Sequence, residues 1–232
     1  MSRLLTPPVS ELIRTPTDSV ENAIASLCRF YESNGTFNYL NGTKTIKAAY
    51  KGLHHLPSLL AGFDKKVVGV KANRNIVELA APLAFERKTQ VFDLPSKKFP
   101  FGRDRLSSYR VPFFFVEDGI IKVYLLLPRK GPYLDFDGIC GCASVLKMFL
   151  LDQEFFDQIV DVEIVDLSTK TKGGPREVVR YSLADLELWD EDRIKSHLRV
   201  VSSALDRMES ESIVTANKRV RPLKDPDLPL FD

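Results

Sequence analysis

The chain has 232 residues, 44% of them apolar and 28% charged, and its 33 Lys and Arg against 31 Asp and Glu leave a formal charge of +2. That is enough length and apolar content to bury a core, which excludes a wholly disordered chain, a collagen-like repeat and a disulfide-stapled miniprotein. No apolar run reaches the ~18 residues of a membrane span, and the opening MSRLLTPPVSELIRTPTDS lacks the apolar stretch of a secretory signal. Three cysteines, two of them in a tight Cys140-Gly-Cys142, point to reduced thiols and a cytoplasmic setting.

Residues 1–17, with Pro7, Pro8 and Pro16, read as a loose lead-in. The first helix is expected at Asp18, with Glu21 completing a capping box and Val20, Ala23, Ile24, Leu27, Cys28 and Tyr31 on one face up to Asn34-Gly35. Shorter helices follow around Lys44–Leu53 and from Pro57, a favoured first helical position. Lys66–Val70 has strand character, Asn73 is placed to cap a helix over Asn75–Ala81, and Pro82 ends or kinks it. Residues 94–110 form a polar loop punctuated by Pro and Gly, and then comes the clearest β signal. Val111–Val116 and Ile120–Leu127 flank Glu117-Asp118-Gly119, a hairpin whose two apolar faces call for a covered sheet. A buried helix fits Cys140–Leu151. Val160–Leu167 alternates as a half-exposed strand with Asp161 and Glu163 outward, and an amphipathic helix runs over Asp190–Met208. The sum is an α/β or α+β domain over 18–209: a helical N-terminal part, a central mixed sheet with a buried hairpin, flanking helices, and a polar, Pro-rich tail over 210–232.

Few residues in this pattern carry chemistry. Asp135 and Asp137, in an extended segment, would point the same way and could chelate Mg²⁺, although Asp before a helix is more often a cap. His54, His55 and His197 lack metal-ligand spacing, and the Cys pair reads as packed thiols. Residues 86–110 hold seven cations against three carboxylates, interleaved with Phe92, Phe99, Phe101 and Tyr109. Cations for phosphate and rings for bases are what a nucleic-acid surface uses, and Lys97, Lys98, Arg103, Arg105 and Arg110 are the candidate contacts. The competing expectation is that the rings dock onto the core. Residues 152–166 are the opposite pole, six carboxylates without a cation.

Two resemblances follow. The succession of a helix near Asn75, a strand at Thr89–Asp93, the hairpin, the Cys140–Leu151 helix and the Val160–Leu167 strand resembles the αβββαβ core of PD-(D/E)xK nucleases. That family carries an Asp on one central strand and Glu-x-Lys on the next, where this chain has Val111–Val116 and Leu125–Leu127, so the resemblance implies the fold without the hydrolytic centre. Asp227-Leu-Pro-Leu-Phe231 resembles the bacterial sliding-clamp-binding peptide Gln-Leu-x-Leu-Phe, with Asp227 in place of Gln. It implies that Leu228, Leu230 and Phe231 enter an apolar pocket on a clamp. The leading expectation is therefore a non-catalytic adaptor in bacterial DNA metabolism without a cofactor. It would bind a protein partner through its tail and nucleic acid through the basic-aromatic loop, with no membrane association. The alternatives are a metal-dependent nuclease using Asp135 and Asp137, and an assembly subunit with no nucleic-acid role.

Overall fold

The computed structural model describes residues 4–32, 39–63, 69–95, 97–109, 111–129, 131, 133–169, 171 and 174–214. Its frame is a five-stranded mixed sheet built from β1 (Gln90–Asp93), β4 (Phe113–Glu117), β5 (Ile120–Leu127), β6 (Val160–Asp166) and β7 (Val179–Tyr181), in that spatial order. A separate hairpin, β2 (Lys98–Phe101) with β3 (Arg105–Ser108), lies between β1 and β4 in the chain. Among the described strands only β5 and β6 run parallel. Asp118 and Gly119 both take positive φ, which gives the two-residue turn whose twist suits the β4–β5 hairpin. Parallel pairing of β5 with β6 requires a crossover, supplied by α6 (Phe136–Leu146) and its continuation through α7 (Asp152–Glu154).

Each sheet face carries its own apolar cluster, so the sheet is the middle of three layers. One face packs on α1 (Val9–Arg14), α2 (Val20–Glu32), α6 and α8 (Glu191–Ser210). The other packs on α3 (Leu40–Tyr50), α4 (Leu56–Leu60) and α5 (Val70–Ala80). The helix–three strands–helix–strand succession is present, from α5 through β1, β4, β5 and α6 to β6, interrupted by the β2–β3 hairpin. Among the described residues no helix is long and apolar enough to cross a membrane.

Several elements differ from the sequence reading, each for a local reason. Residues 9–14 form a helix whose Val9, Leu12 and Ile13 are buried, so the lead-in belongs to the core. The cap of α2 is Ser19, whose Oγ accepts the Asn22 amide at 3.1 Å, and Asp18 instead holds the Asn22 side chain. Gly69, at φ 85°, starts α5, and Asn73 lies within that helix, bridging to the Gly42 amide at 2.6 Å. The strand expected at Lys66–Val70 therefore keeps no described strand residue: Val70 is helical, and residues 64–68 lie outside the described residues. Residues 98–108 are a hairpin rather than a loop.

β6 is covered on both faces, which changes the role of its acidic residues. The registers Phe115↔Lys122, Phe113↔Tyr124 and Tyr124↔Glu163 put Glu117, Lys122, Tyr124 and Glu163 on the face beneath α3. There Arg87 donates to both Glu117 oxygens, at 2.7 and 2.6 Å, and to both Glu163 oxygens, at 3.0 and 2.9 Å. The Tyr50 hydroxyl donates to Glu163, Lys122 donates to Glu117 at 2.9 Å, and the guanidinium lies over the rings of Tyr50 and Phe115. Two cations thus face two carboxylates, which is the condition for holding charge in a buried place. Tyr124 Oη, beside them, is buried without a partner.

The hydrogen bonds from Arg87, helped by Lys122 against the cost of burial, hold the Glu117 carboxyl at about 2, below its ordinary 4.5. A carboxyl depressed in the folded state stabilises the fold above its unfolded value, and that contribution fades as pH falls toward the folded value. Urea unfolding across pH 6 to 2 should show a loss of up to about 3 kcal/mol centred between those two values, absent in Glu117→Gln. Arg87→Met leaves the buried Glu163 without a cation, Glu117 keeping only Lys122, and should cost about 3–5 kcal/mol at pH 7. A loss below 1 kcal/mol, the level of an exposed pair, would show that the cluster holds nothing together.

Candidate nucleic-acid interface

The hairpin reaches its place through alternation. Along β2, Phe99 and Phe101 are buried while Lys98 and Pro100 are exposed, and along β3 Arg105 and Ser107 are buried while Leu106 is exposed. Phe99 stacks on Phe149 at 5.2 Å and meets Tyr109 at 5.1 Å. Three of the rings considered for base stacking are therefore spent in the core; Phe92, which stacks on Phe114, is the exposed one.

The buried inner face is fastened to α8 by Arg105. Its Nη2 donates to Asp206 at 2.7 Å and to Glu209 at 2.8 Å, its Nη1 donates to Glu209 at 3.1 Å, and its side chain is 2% exposed. A guanidinium so enclosed and doubly paired is unavailable to a phosphate, so Arg105 drops out of the candidate contacts. At the turn, Gly102 adopts φ 60°, and a Cβ there would lie 1.9 Å from Ser202 Oγ, so this close approach requires glycine.

The other four candidates fare differently. Lys97 is half-buried and pairs with Glu154 at 2.8 Å, so its charge is partly engaged. Lys98 and Arg103 are exposed. Arg110 lies outside the described residues, as do Leu228, Leu230 and Phe231.

Asp135 and Asp137 do not act as a pair. Asp135 is the cap of α6, accepting the Gly138 amide at 2.8 Å. Asp137 accepts Trp189 Nε1 at 2.9 Å and Arg193 Nη2 at 2.6 Å. Burial opposes its charge, but those two donors outweigh burial and hold the carboxyl below its ordinary value. Among the described residues there is no group of three or more His, Cys, Asp or Glu placed to hold a metal ion. The strand positions where the nuclease resemblance would need a carboxylate and a lysine hold buried Val111, Phe113, Leu125 and Leu127. Both ring nitrogens of His197 are engaged, Nε2 at 3.0 Å from the Leu12 carbonyl oxygen and Nδ1 at 3.3 Å from Thr17 Oγ1, and burial lowers its pKa. Burial pushes the Cys142 thiol up to about 12, which suppresses the thiolate a nucleophile needs.

A feature absent from the sequence reading lies beside the hairpin. Where β2 and its turn meet α8 there is an open groove of about 310 Å³. Pro100, Phe101, Phe149 and Leu198 supply its apolar lining, and Lys195, Arg199, Ser202 and Ser203 its polar side. Lys195 pairs with Glu191, whereas Arg199 stands exposed. The spacing 195, 199, 202, 203 was visible as one stripe of the last helix. Its neighbour, a strand nearly a hundred positions earlier, was not. Lys98 and Arg103 are exposed on the hairpin whose Pro100, Phe101 and Gly102 form one wall of this groove, and Lys195 and Arg199 lie on its α8 side.

Two measurements check these assignments. Arg105→Met removes the guanidinium from Asp206 and Glu209 and should lower stability by about 1.5–3 kcal/mol, whereas Arg103→Met should change it by less than 0.5 kcal/mol. Asp135→Ala should cost about 1 kcal/mol, as caps do, equally with and without Mg²⁺ in a thermal melt. A melting temperature that rises with Mg²⁺ only when Asp135 and Asp137 are intact would restore the metal site.

Compared with known proteins, the chain matches no family model, no curated protein and no solved structure.

Proposed function

We propose that the chain is a non-catalytic adaptor of bacterial DNA metabolism that holds nucleic acid on the hairpin–α8 surface and a protein partner through Asp227–Phe231. The observation that carries the reading is that Lys98 and Arg103 are exposed on the hairpin that walls a groove lined by Phe101, Phe149 and, on its α8 side, Arg199. Exposed cations can meet phosphates, and an apolar-walled hollow can take a base or ring beside them. The nuclease alternative loses its residues, since Asp135 serves as a cap and Asp137 as a tether. The assembly reading without nucleic acid keeps one observation in its favour, the exposure of Phe156 at 82% and Ile159 at 71%. Such groups gain only when a partner covers them.

The test is the salt dependence of binding to a single-stranded oligonucleotide. The affinity should fall with salt at a slope near −0.7 per phosphate contact, and Lys98→Ala with Arg103→Ala should flatten it by about two contacts. No binding at ~50 mM salt, where phosphate contacts are strongest, would remove the nucleic-acid half and leave the assembly reading. For the other half, deleting residues 227–232 should abolish binding to a bacterial sliding clamp while lowering stability by less than about 1 kcal/mol, the scale of one surface contact. A loss of several kcal/mol would mean that these residues belong to the core.

A further inference from the structure

We propose that the groove between β2 and α8 seats one unstacked nucleotide, so that the chain selects single-stranded nucleic acid over duplex. This rests on the adaptor reading above and adds what the groove holds and which residues hold it.

The apolar side of the groove is held in place from behind. Phe149 stands in a π-helical turn over Lys147–Leu151, a rare form frequently found at functional sites. Its ring stacks on Phe99 at 5.2 Å, and its carbonyl accepts the Tyr109 hydroxyl at 2.9 Å. With Pro100, Phe101 and Leu198 it walls a hollow of about 310 Å³, at the small end of the ~300–1,000 Å³ that ligand pockets span. Stacking on an aromatic ring tolerates any sequence, because every base has a π-face.

The polar side matches the rest of a nucleotide. Arg199 precedes Ser202 and Ser203 by three and four positions, so the three share one face of α8. Lys195 is paired with Glu191, whereas Arg199 is exposed and forms no ion pair among the described residues. One free guanidinium beside one hollow suits one phosphate beside one base. Ser202 lines the groove and is only 5% exposed, yet its hydroxyl makes no hydrogen bond among the described residues. Ser144 is the contrast: its Oγ donates to the Cys140 carbonyl at 2.7 Å, one turn back along its own helix. A buried hydroxyl left free in a hollow calls for a polar atom from outside, and because it both donates and accepts it suits the edge of any base. In a duplex the bases are stacked and paired and cannot enter such a hollow, whereas a single strand splays a base out readily.

The test uses the full chain and a short oligothymidylate carrying one central 5-iodouracil, irradiated in complex and mapped to the crosslinked residue by mass spectrometry. Crosslinks should fall on Phe101 or Phe149. At ~50 mM salt, where phosphate contacts are strongest, the strand should bind at least about tenfold more tightly than a duplex of equal length. Arg199→Gln should weaken binding about three- to tenfold and flatten the salt slope by about one contact. Ser202→Ala should weaken it about threefold without lowering the melting temperature, since the hydroxyl bonds to nothing within the described chain. Crosslinks confined to the exposed Phe92 or Phe156, equal affinity for strand and duplex, or indifference to both substitutions would overturn the seat while leaving nucleic-acid binding in place. Crosslinking that fades as protein concentration rises, with a dimeric mass in light scattering, would overturn it in favour of a second copy in the groove. No binding of either nucleic acid would overturn the seat and the nucleic-acid half of the adaptor reading together.

Discussion

The guanidinium of Arg105 joins stretches of chain that are distant in sequence. From β3 it reaches Asp206 and Glu209 on α8, and Glu209 in turn accepts the Leu4 amide at 2.7 Å. Ser107, next but one along the same strand, donates to the Pro7 carbonyl at 2.6 Å. A two-stranded ribbon is marginal alone in water; this one has a place because its buried edge is pinned to a long helix and to the first residues of the chain. That pin also supports the groove and the close approach of the Gly102 turn to Ser202. The same interaction explains why the most enclosed of the candidate cations is not a ligand-binding one.

A second buried ion cluster works on the opposite side of the sheet. Arg87 ties β4 and β6 through Glu117 and Glu163, and Tyr50 brings α3 to the same point. Paired charges of this kind add little stability relative to an apolar replacement, yet breaking one is costly because the remaining charge is stranded. The two clusters divide the work: Arg87 fixes α3 and the β1-side connection on one face, and Arg105 fixes the inserted hairpin on the other. The surface proposed for binding lies on the second face.

What could be read from the sequence was local. The β4–β5 hairpin follows from two apolar runs around Asp118-Gly119, and α8 from its stripe and its Asp190 cap, whose side chain accepts the Arg193 amide at 2.7 Å. The buried helix through Cys140 and Cys142 likewise follows from a largely apolar composition interrupted only by Ser144 and Lys147 from Cys140 to Leu151. The errors came where a long-range contact overrules local character. Residues 98–101 carry a period-two alternation, but Pro100 and Gly102 disguised it as a loop, and only packing against α8 shows that Phe99 and Phe101 are core. Glu163 looked solvent-facing because its partner, Arg87, lies 76 positions away. Asp135 and Asp137 read more readily as caps than as chelators, and Gly138, Trp189 and Arg193 are the partners that claim them. Of the candidate interface, Lys98 and Arg103 were legible as charge in a basic stretch. Lys195 and Arg199 became part of it only through tertiary contact.

The central claim is that the hairpin–α8 surface is where this chain binds an anionic partner. Amide chemical shifts of the full chain during titration with a single-stranded oligonucleotide test it most directly. The account predicts saturable shifts concentrated at Lys98, Arg103, Arg199 and Ser203, with the amides of α3 and α5 unmoved. Shifts centred on the opposite sheet face, or spread evenly over every exposed lysine, would contradict it.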